Sequence, residues 1–232
     1  MCTRTISRCT NCSLHSLCIG KSGSEEVSLA GRLHVRAGAL AKGEALFWSG
    51  QRSGAFYALR SGCVKEVVPR SDGTAAVVHF SLPGEVVGLG SLATSRAATS
   101  AIAVAATRYC RVPSAAVHKL AEEMPEVGRE LIRLLAASVT ATQRLVASVR
   151  DRDALARVAG CLLDISRRMQ RTGLDGSRFR LGLSRSELAS YLGVTLETVS
   201  RCLTELRWRR LIEVRAKDLR LLRPAELQLV IG

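Results

Sequence analysis

The sequence predicts an α+β chain: a small all-β unit, a barrel or roll, then a long helix, then a C-terminal winged helix-turn-helix. Three observations carry this. Residues 31–113 alternate short apolar runs with glycine-marked turns. From Pro125 onward, apolar positions recur at helical spacing, with no Gly or Pro between Gly128 and Gly160. Leu183–Val214 holds two short amphipathic segments that meet at Gly193.

Each element has its own signal. In the β unit, Phe56–Leu59, Val64–Val68, Ala75–Phe80 and Ala101–Ala106 lie between Gly62, Asp72-Gly73 and Pro83-Gly84. Asp-Gly between two apolar runs marks a hairpin. Ser114 is placed to cap a short helix and Pro125 to open a longer one. On the long helix Leu131, Leu135, Ser138, Thr142, Leu145 and Val149 follow a 4-3-4-3-4 spacing, which fits either a heptad seam against a second copy of the chain or an ordinary amphipathic helix packed on the β unit. Ala154–Gln170 is amphipathic, with Val158, Cys161, Leu162 and Ile165 on one face. Ser184-x-x-Glu187 is a capping box, Thr195 caps the next helix, and Leu211–Val214 with Leu219–Leu222 reads as a closing hairpin. Gly20–Ser28 and Val149–Asp153 are the stretches most like linkers. The expected division is 1–30, a cysteine-rich arm; 31–113, the β unit; 114–150, the long helix region; and 151–232, the helix-turn-helix domain.

The 232 residues carry 34 basic and 20 acidic side chains, a net charge of +14. A balance this basic points to a polyanionic partner, nucleic acid first. The basic charge is not confined to one end: residues 151–232 contribute +6 and the remainder +8. No apolar run approaches the roughly 18 residues that span a bilayer, and no apolar stretch follows Arg4 and Arg8 as in a signal peptide, so a cytoplasmic chain is expected. Eight cysteines in that compartment point to metal or redox chemistry rather than disulfides. No phosphate-cradling glycine loop, zinc-protease helix or nucleophile elbow is present, and no carboxylate pair suggests hydrolysis, so the chain does not read as an enzyme.

Two constellations carry chemistry. The first is the second helix of the Leu183–Val214 pair. Glu197, Ser200 and Arg201 fall at i, i+3 and i+4 and share a face. Arginine forks onto guanine, glutamate accepts from cytosine, and serine adapts, so this face suits base reading in a major groove. Thr195 and Thr198 suit phosphates, as do the flanking Arg167, Arg168, Arg171, Arg178, Arg180, Arg185, Arg207, Arg209 and Arg210. The plainer reading of Glu197 and Arg201 is a surface i,i+4 ion pair. The second constellation is Cys9-Thr-Asn-Cys12-Ser-Leu-His-Ser-Leu-Cys18. Thiolates with two residues between them grip one metal centre from a single turn. Three ligands are one short of four, and Cys2, His15, Cys63 and Cys110 are the candidates for the last; zinc accepts His15 with three cysteines, whereas an iron–sulfur cluster wants four cysteines.

Taken together, the cysteine run, Pro83-Gly84-Glu85-Val86-Val87-Gly88 through Cys110-Arg111-Val112-Pro113, Ile165-Ser166-Arg167-Arg168, and Tyr191-Leu192-Gly193-Val194-Thr195-x-Glu197-Thr198-x-Ser200-Arg201 resemble the CRP/FNR family of bacterial transcription regulators, most closely its oxygen-sensing, FNR-like branch. The resemblance covers nearly the whole chain. It implies a β-roll of the double-stranded β-helix type and a [4Fe–4S] cluster on Cys9, Cys12, Cys18 and Cys110. It implies a homodimer formed through Pro125–Val149, with Leu131, Leu135, Thr142, Leu145 and Val149 at the contact. Oxygen would degrade the cluster and weaken the dimer. Glu197, Ser200 and Arg201 would read TTGAT-type half-sites of a two-fold symmetric stretch of double-stranded DNA, and the bound dimer would recruit or block RNA polymerase.

The chain departs from that pattern in two places. No acidic residue lies between Glu130 and Asp151, so charge repulsion cannot drive the seams apart. Arg96, Thr99-Ser100 and Gly84-Glu85 echo the phosphate-binding residues of cyclic-nucleotide-binding relatives, with Ala97-Ala98 breaking the tight Arg-hydroxyl pair. The alternatives are a small-ligand or cyclic-nucleotide regulator of the same fold with a structural zinc site, and an electron-transfer protein that would leave the helix-turn-helix unexplained. Cys63, Cys161 and Cys202 are expected in the core, and Trp208 is expected to pack rather than stack on a base.

Overall fold

A computed structural model describes residues 12, 14, 15, 19–22, 25–29, 31–94, 96–151 and 153–232. Cys2, Cys9 and Cys18 lie outside the described residues. The chain divides into two compact units, 1–69 with 79–139, and 70–78 with 140–232.

The first unit begins with an antiparallel pair, β1 (Ile19–Ser22) and β2 (Glu25–Ser28). This stretch was expected to be a linker; backbone pairing needs no apolar alternation, which is why the pattern missed it. The roll follows: β3 (Arg36–Leu40), β4 (Ala45–Phe47), β5 (Ala55–Ser61), β6 (Val64–Pro69), β7 (Ala75–Ser81), β8 (Val86–Val87), β9 (Ser100–Ala103) and β10 (Thr107–Pro113). They form two four-stranded sheets, ordered β3-β10-β5-β8 and β4-β9-β6-β7. Asp72-Gly73 lies in the turn joining β6 to β7, as the sequence predicts; there the Asp72 carboxylate accepts the Thr74 N–H at 2.9 Å.

Strand alternation gives the roll two apolar faces. Inside are Phe47, Leu59, Val64, Val87 and Ala101, with Tyr57 and Tyr109 against them. The ring centroids of Phe47 and Tyr57 are 6.0 Å apart, and those of Tyr57 and Tyr109 are 5.5 Å apart. Tyr109 lies flat on Gly38, where any Cβ would collide with the phenol ring. The outer face of β5 and β10 presents Phe56, Ala58 and Val112 to α1 (Ser114–Glu123) and α2 (Pro125–Asp151), which contribute Val117, Leu120, Val127 and Leu131. Leu14, Leu29 and Leu33 complete this cluster.

Two helix starts are informative. Pro125 opens α2 as expected. Ser114 does not cap α1: the cap position is Pro113, whose fixed φ of −63° leads into the helix, and Ser114 is buried with its hydroxyl 2.9 Å from that of Ser91. The long helix also runs through Asp151, so most of the expected linker at Val149–Asp153 is helical.

The second unit contains α3 (Ala154–Arg171), β11 (Arg178–Arg180), α4 (Arg185–Leu192), α5 (Leu196–Trp208), β12 (Ile212–Arg215), β13 (Asp218–Leu221) and α6 (Pro224–Leu229). The Asp153 carboxylate caps α3 by accepting the Ala156 N–H at 2.8 Å. The buried face of α3 is the one predicted, with Val158, Cys161, Leu162 and Ile165; α5 buries Val199, Cys202, Leu203 and Leu206. Burial pushes the Cys161 thiol up to about 12, with Asp164 adding to the rise, and raises Cys202 as well. The sheet is ordered β11-β13-β12, the wing of a helix-turn-helix. Among the described residues no helix is long and apolar enough to cross a membrane.

Candidate nucleic-acid interface and cysteine site

The helix-turn-helix is fixed by its own short-range chemistry. At the start of α4 the Ser184 hydroxyl accepts the Glu187 N–H at 3.2 Å, and the Glu187 carboxylate accepts the Ser184 N–H at 2.7 Å. Gly193 ends the helix in the left-handed region, φ 64°, where a side chain would be strained. Thr195 then caps α5 by accepting the Thr198 N–H at 3.2 Å, and its hydroxyl lies 3.0 Å from that of Thr198. Leu188 and Leu192 of α4, with Val199 and Leu203 of α5, are buried; Val194 is half-buried.

Burying that face of α5 turns the other outward. Glu197 and Arg201 are exposed and Ser200 is half-buried, so the three predicted base readers share one accessible side. Among the described residues Glu197 and Arg201 form no ion pair with each other or with any other side chain. The plainer reading of these two residues as a surface salt bridge is therefore not what the structure holds. The backbone N–H of Glu197 and the Thr195 hydroxyl hold the Glu197 carboxyl below its ordinary value, keeping it an acceptor. Arg185 reaches from α4 to the Ser200 hydroxyl at 3.5 Å, the long end of hydrogen-bond range.

The flanking arginines divide by partner. Arg209 is held by Glu205 at 2.7 Å and Arg168 by Asp164 at 3.3 Å, with the Arg168 side chain largely buried. On the wing sheet, the register sets Arg178 beside Arg220 and Arg215 beside Asp218, while Phe179, Leu219 and Leu221 fill the opposite face. Trp208 does not pack: it is 80% exposed, because it sits two residues past the buried Leu206 and so falls on the far side of α5.

In the first unit, Cys12 and Cys110 pack against the same apolar cluster. The Cys12 sulfur accepts the Leu14 N–H at 3.4 Å, its carbonyl accepts the His15 N–H at 2.8 Å, and Leu14 is buried in the cluster. Cys110 lies on β10 between Ala37 of β3 and Ala58 of β5, its direct neighbours across the sheet. Both of these neighbours are small, with methyl side chains. Cys63 is buried just before β6, and its carbonyl accepts the Val104 N–H at 2.9 Å. Among the described residues no three metal-ligating side chains gather in one place.

The residues of the phosphate-binding echo are committed elsewhere. Arg96 donates to the Gly50 carbonyl at 2.7 Å, Thr99 donates to the Glu66 carboxylate at 2.7 Å, and the Ser100 hydroxyl accepts the Ser49 N–H at 2.9 Å. Glu85 accepts the Leu82 N–H at 2.8 Å, closing the turn before β8.

On α2 Leu131 is turned into the chain's own cluster. Leu135 and Thr142 are exposed and Leu145 is half-buried; the side chain of Val149 lies outside the described ones. Ile132, Leu135, Val139 and Val146 are the large exposed apolar side chains of the helix. With Thr142 they run at 3-4-3-4 spacing, one residue out of step with Leu131.

A Crp-like helix-turn-helix domain matches residues 156–230, and a cyclic nucleotide-binding domain matches residues 38–124. The transcriptional activator protein anr of Pseudomonas aeruginosa is 33% identical over 97% of this chain and 92% of that protein. The fumarate and nitrate reduction regulatory protein of Vibrio cholerae is 28% identical over 97% of this chain and 90% of its own length. The structure of FixK2 from Bradyrhizobium japonicum superposes with a TM-score of 0.79 at 26% identity, covering 85% of this chain and 98% of that one. With matches of this extent to the sequence and the fold, the chain belongs to the CRP/FNR family of DNA-binding transcription regulators.

Proposed function

We propose that this regulator responds to oxygen through a [4Fe–4S] cluster held by Cys9, Cys12, Cys18 and Cys110. The observation that carries the reading is that Cys12 and Cys110 both pack against one apolar cluster, with the small Ala37 and Ala58 as the cross-strand neighbours of Cys110. The donor set suits the group: thiolates are its usual ligands, and the Leu14 N–H already points at one of them. When bound, such a cluster supplies an oxygen-labile redox centre.

The protein's own residues do the rest. Leu14, Leu29 and Leu33 hold the arm against β5 and β10 and keep water from that side. Ile132, Leu135, Val139, Thr142 and Val146 form the stripe on which a second copy packs, together with the half-buried Leu145. A two-fold dimer presents two copies of α5, so that Glu197, Ser200 and Arg201 read palindromic TTGAT-type half-sites, with Thr195 and Thr198 close to phosphate. The bound dimer recruits or blocks RNA polymerase. The committed partners of Arg96, Thr99 and Ser100 speak against the cyclic-nucleotide alternative.

The test is anaerobic purification followed by a visible spectrum and iron and sulfide assays, before and after air. A brown protein with about four irons per chain, bleached by air with loss of DNA binding, is expected. Colourless protein carrying zinc overturns the reading, and normal iron and sulfide in Cys110→Ser removes Cys110 from the ligand set.

A further inference from the structure

His15 sits inside the cysteine run, on the turn that begins at Cys12. Both nearby backbone N–H groups are used: that of Leu14 on the Cys12 sulfur and that of His15 on the Cys12 carbonyl. The ring does not share in this. Its Nδ1 is sealed from solvent and has no hydrogen-bond partner among the described residues. Buried polar atoms are rarely left this way, so a missing partner is itself information. The buried Leu14 pins the turn to the cluster against which Cys12 and Cys110 also pack.

We propose that His15, through Nδ1–H, donates a hydrogen bond to the sulfur of the iron–sulfur group held by Cys12 and Cys110. This rests on the cluster reading above and adds a residue that the four-cysteine set does not contain. His15 acts here as a positioning residue, not a ligand: four cysteines already complete the set, and a ring N–H is a donor. A hydrogen bond to sulfur draws negative charge away from the metal centre and raises its reduction potential. The same bond therefore makes the centre harder to oxidise and slower to decay in air.

The experiment uses full-length protein prepared without oxygen, as wild type, His15→Ala and His15→Asn. Asparagine places an N–H near the position of Nδ1 and serves as the conservative rescue. The readouts are iron and sulfide content, the midpoint potential by spectroelectrochemistry, and the rate of bleaching in air. The expected result is full iron content in all three, a lower potential in His15→Ala with bleaching about tenfold faster, the rate equivalent of one hydrogen bond, and recovery of both in His15→Asn. Wild type without iron or sulfide overturns the cluster reading and this inference together. Unchanged potential and bleaching in an iron-loaded His15→Ala overturn this inference alone, as does an equal shift in both variants. Should His15→Ala fail to load, loading of His15→Asn at the wild-type potential supports the hydrogen bond. Failure of both variants to load overturns it in favour of direct ligation.

Discussion

Thr99 gives its hydroxyl hydrogen to the Glu66 carboxylate at 2.7 Å, across the β6–β9 pairing of the roll. A carboxylate in that place repels any phosphate that would seek the same hydroxyl, and it shares the neighbourhood with Ser100, whose hydroxyl already accepts the Ser49 N–H.

Cyclic nucleotides should therefore not bind. Titration of cyclic AMP or cyclic GMP up to about 1 mM should release no heat and leave DNA affinity unchanged, since a dissociation constant of 1 mM corresponds to only about 4 kcal/mol. Saturable binding below that concentration would show that the roll rearranges to free Arg96 and Thr99.

Two apolar residues of α2 should have opposite phenotypes. Val139 is 56% exposed and Leu131 9%. Val139→Asp should leave the fold intact and shift sedimentation to monomer, because it sets like charges face to face across a two-fold axis. Leu131→Ala should keep the dimer but lower unfolding stability by about 2–5 kcal/mol, the cost of a cavity in the outer cluster. A Val139→Asp protein that remains dimeric would place the contact off this stripe.

On DNA, Arg201→Ala should cost about 1–3 kcal/mol at one base pair and little on mismatched sites. Arg209, half-occupied by Glu205, should act on all sequences alike, and its loss should flatten the salt slope by about one unit at most. Binding to the consensus and to every single-base variant, at several salt concentrations, separates these outcomes. Even loss across all variants for Arg201→Ala would make Arg201 a phosphate clamp.

The Cys161 thiol gives a pH signature. Its value is raised from 9.0 to about 12 by burial, so the unfolded chain releases this proton first. The contribution is complete below pH 9 and declines as the pH climbs from 9 toward 12, by up to about 1.4 kcal/mol per pH unit. Urea unfolding at pH 8 and pH 10 should show that loss in wild type and a smaller one in Cys161→Ala. Equal losses would mean that other groups govern alkaline unfolding.

Much of this molecule is legible along the sequence because its signals are local. The helix-turn-helix rests on Ser184, Glu187, Gly193 and Thr195, each acting within four residues, and its reading face follows from the helical repeat. The cysteine site is different. Cys110 lies far along the chain from Cys12, and what sets it apart from Cys63 is strand register, which puts Ala37 and Ala58 beside it; sequence spacing carries no trace of that, and only the family resemblance pointed there. The seam shows a finer limit. Leu131 and Ile132 both fit an apolar helix face, and packing against Val127 and Leu120 decides which one turns inward. Trp208 is expected to pack, whereas its place relative to the buried Leu206 leaves it exposed. That the His15 Nδ1 has no partner among the described residues is a property of packing alone.

The caps that close both ends of the α4–α5 turn exist in the chain by itself, with no DNA present. A reading helix that is already ordered has no folding to complete when it meets the groove. Its encounter with DNA then lacks the large negative heat-capacity change that accompanies coupled folding, and the change that is measured reports only the surface the two molecules cover.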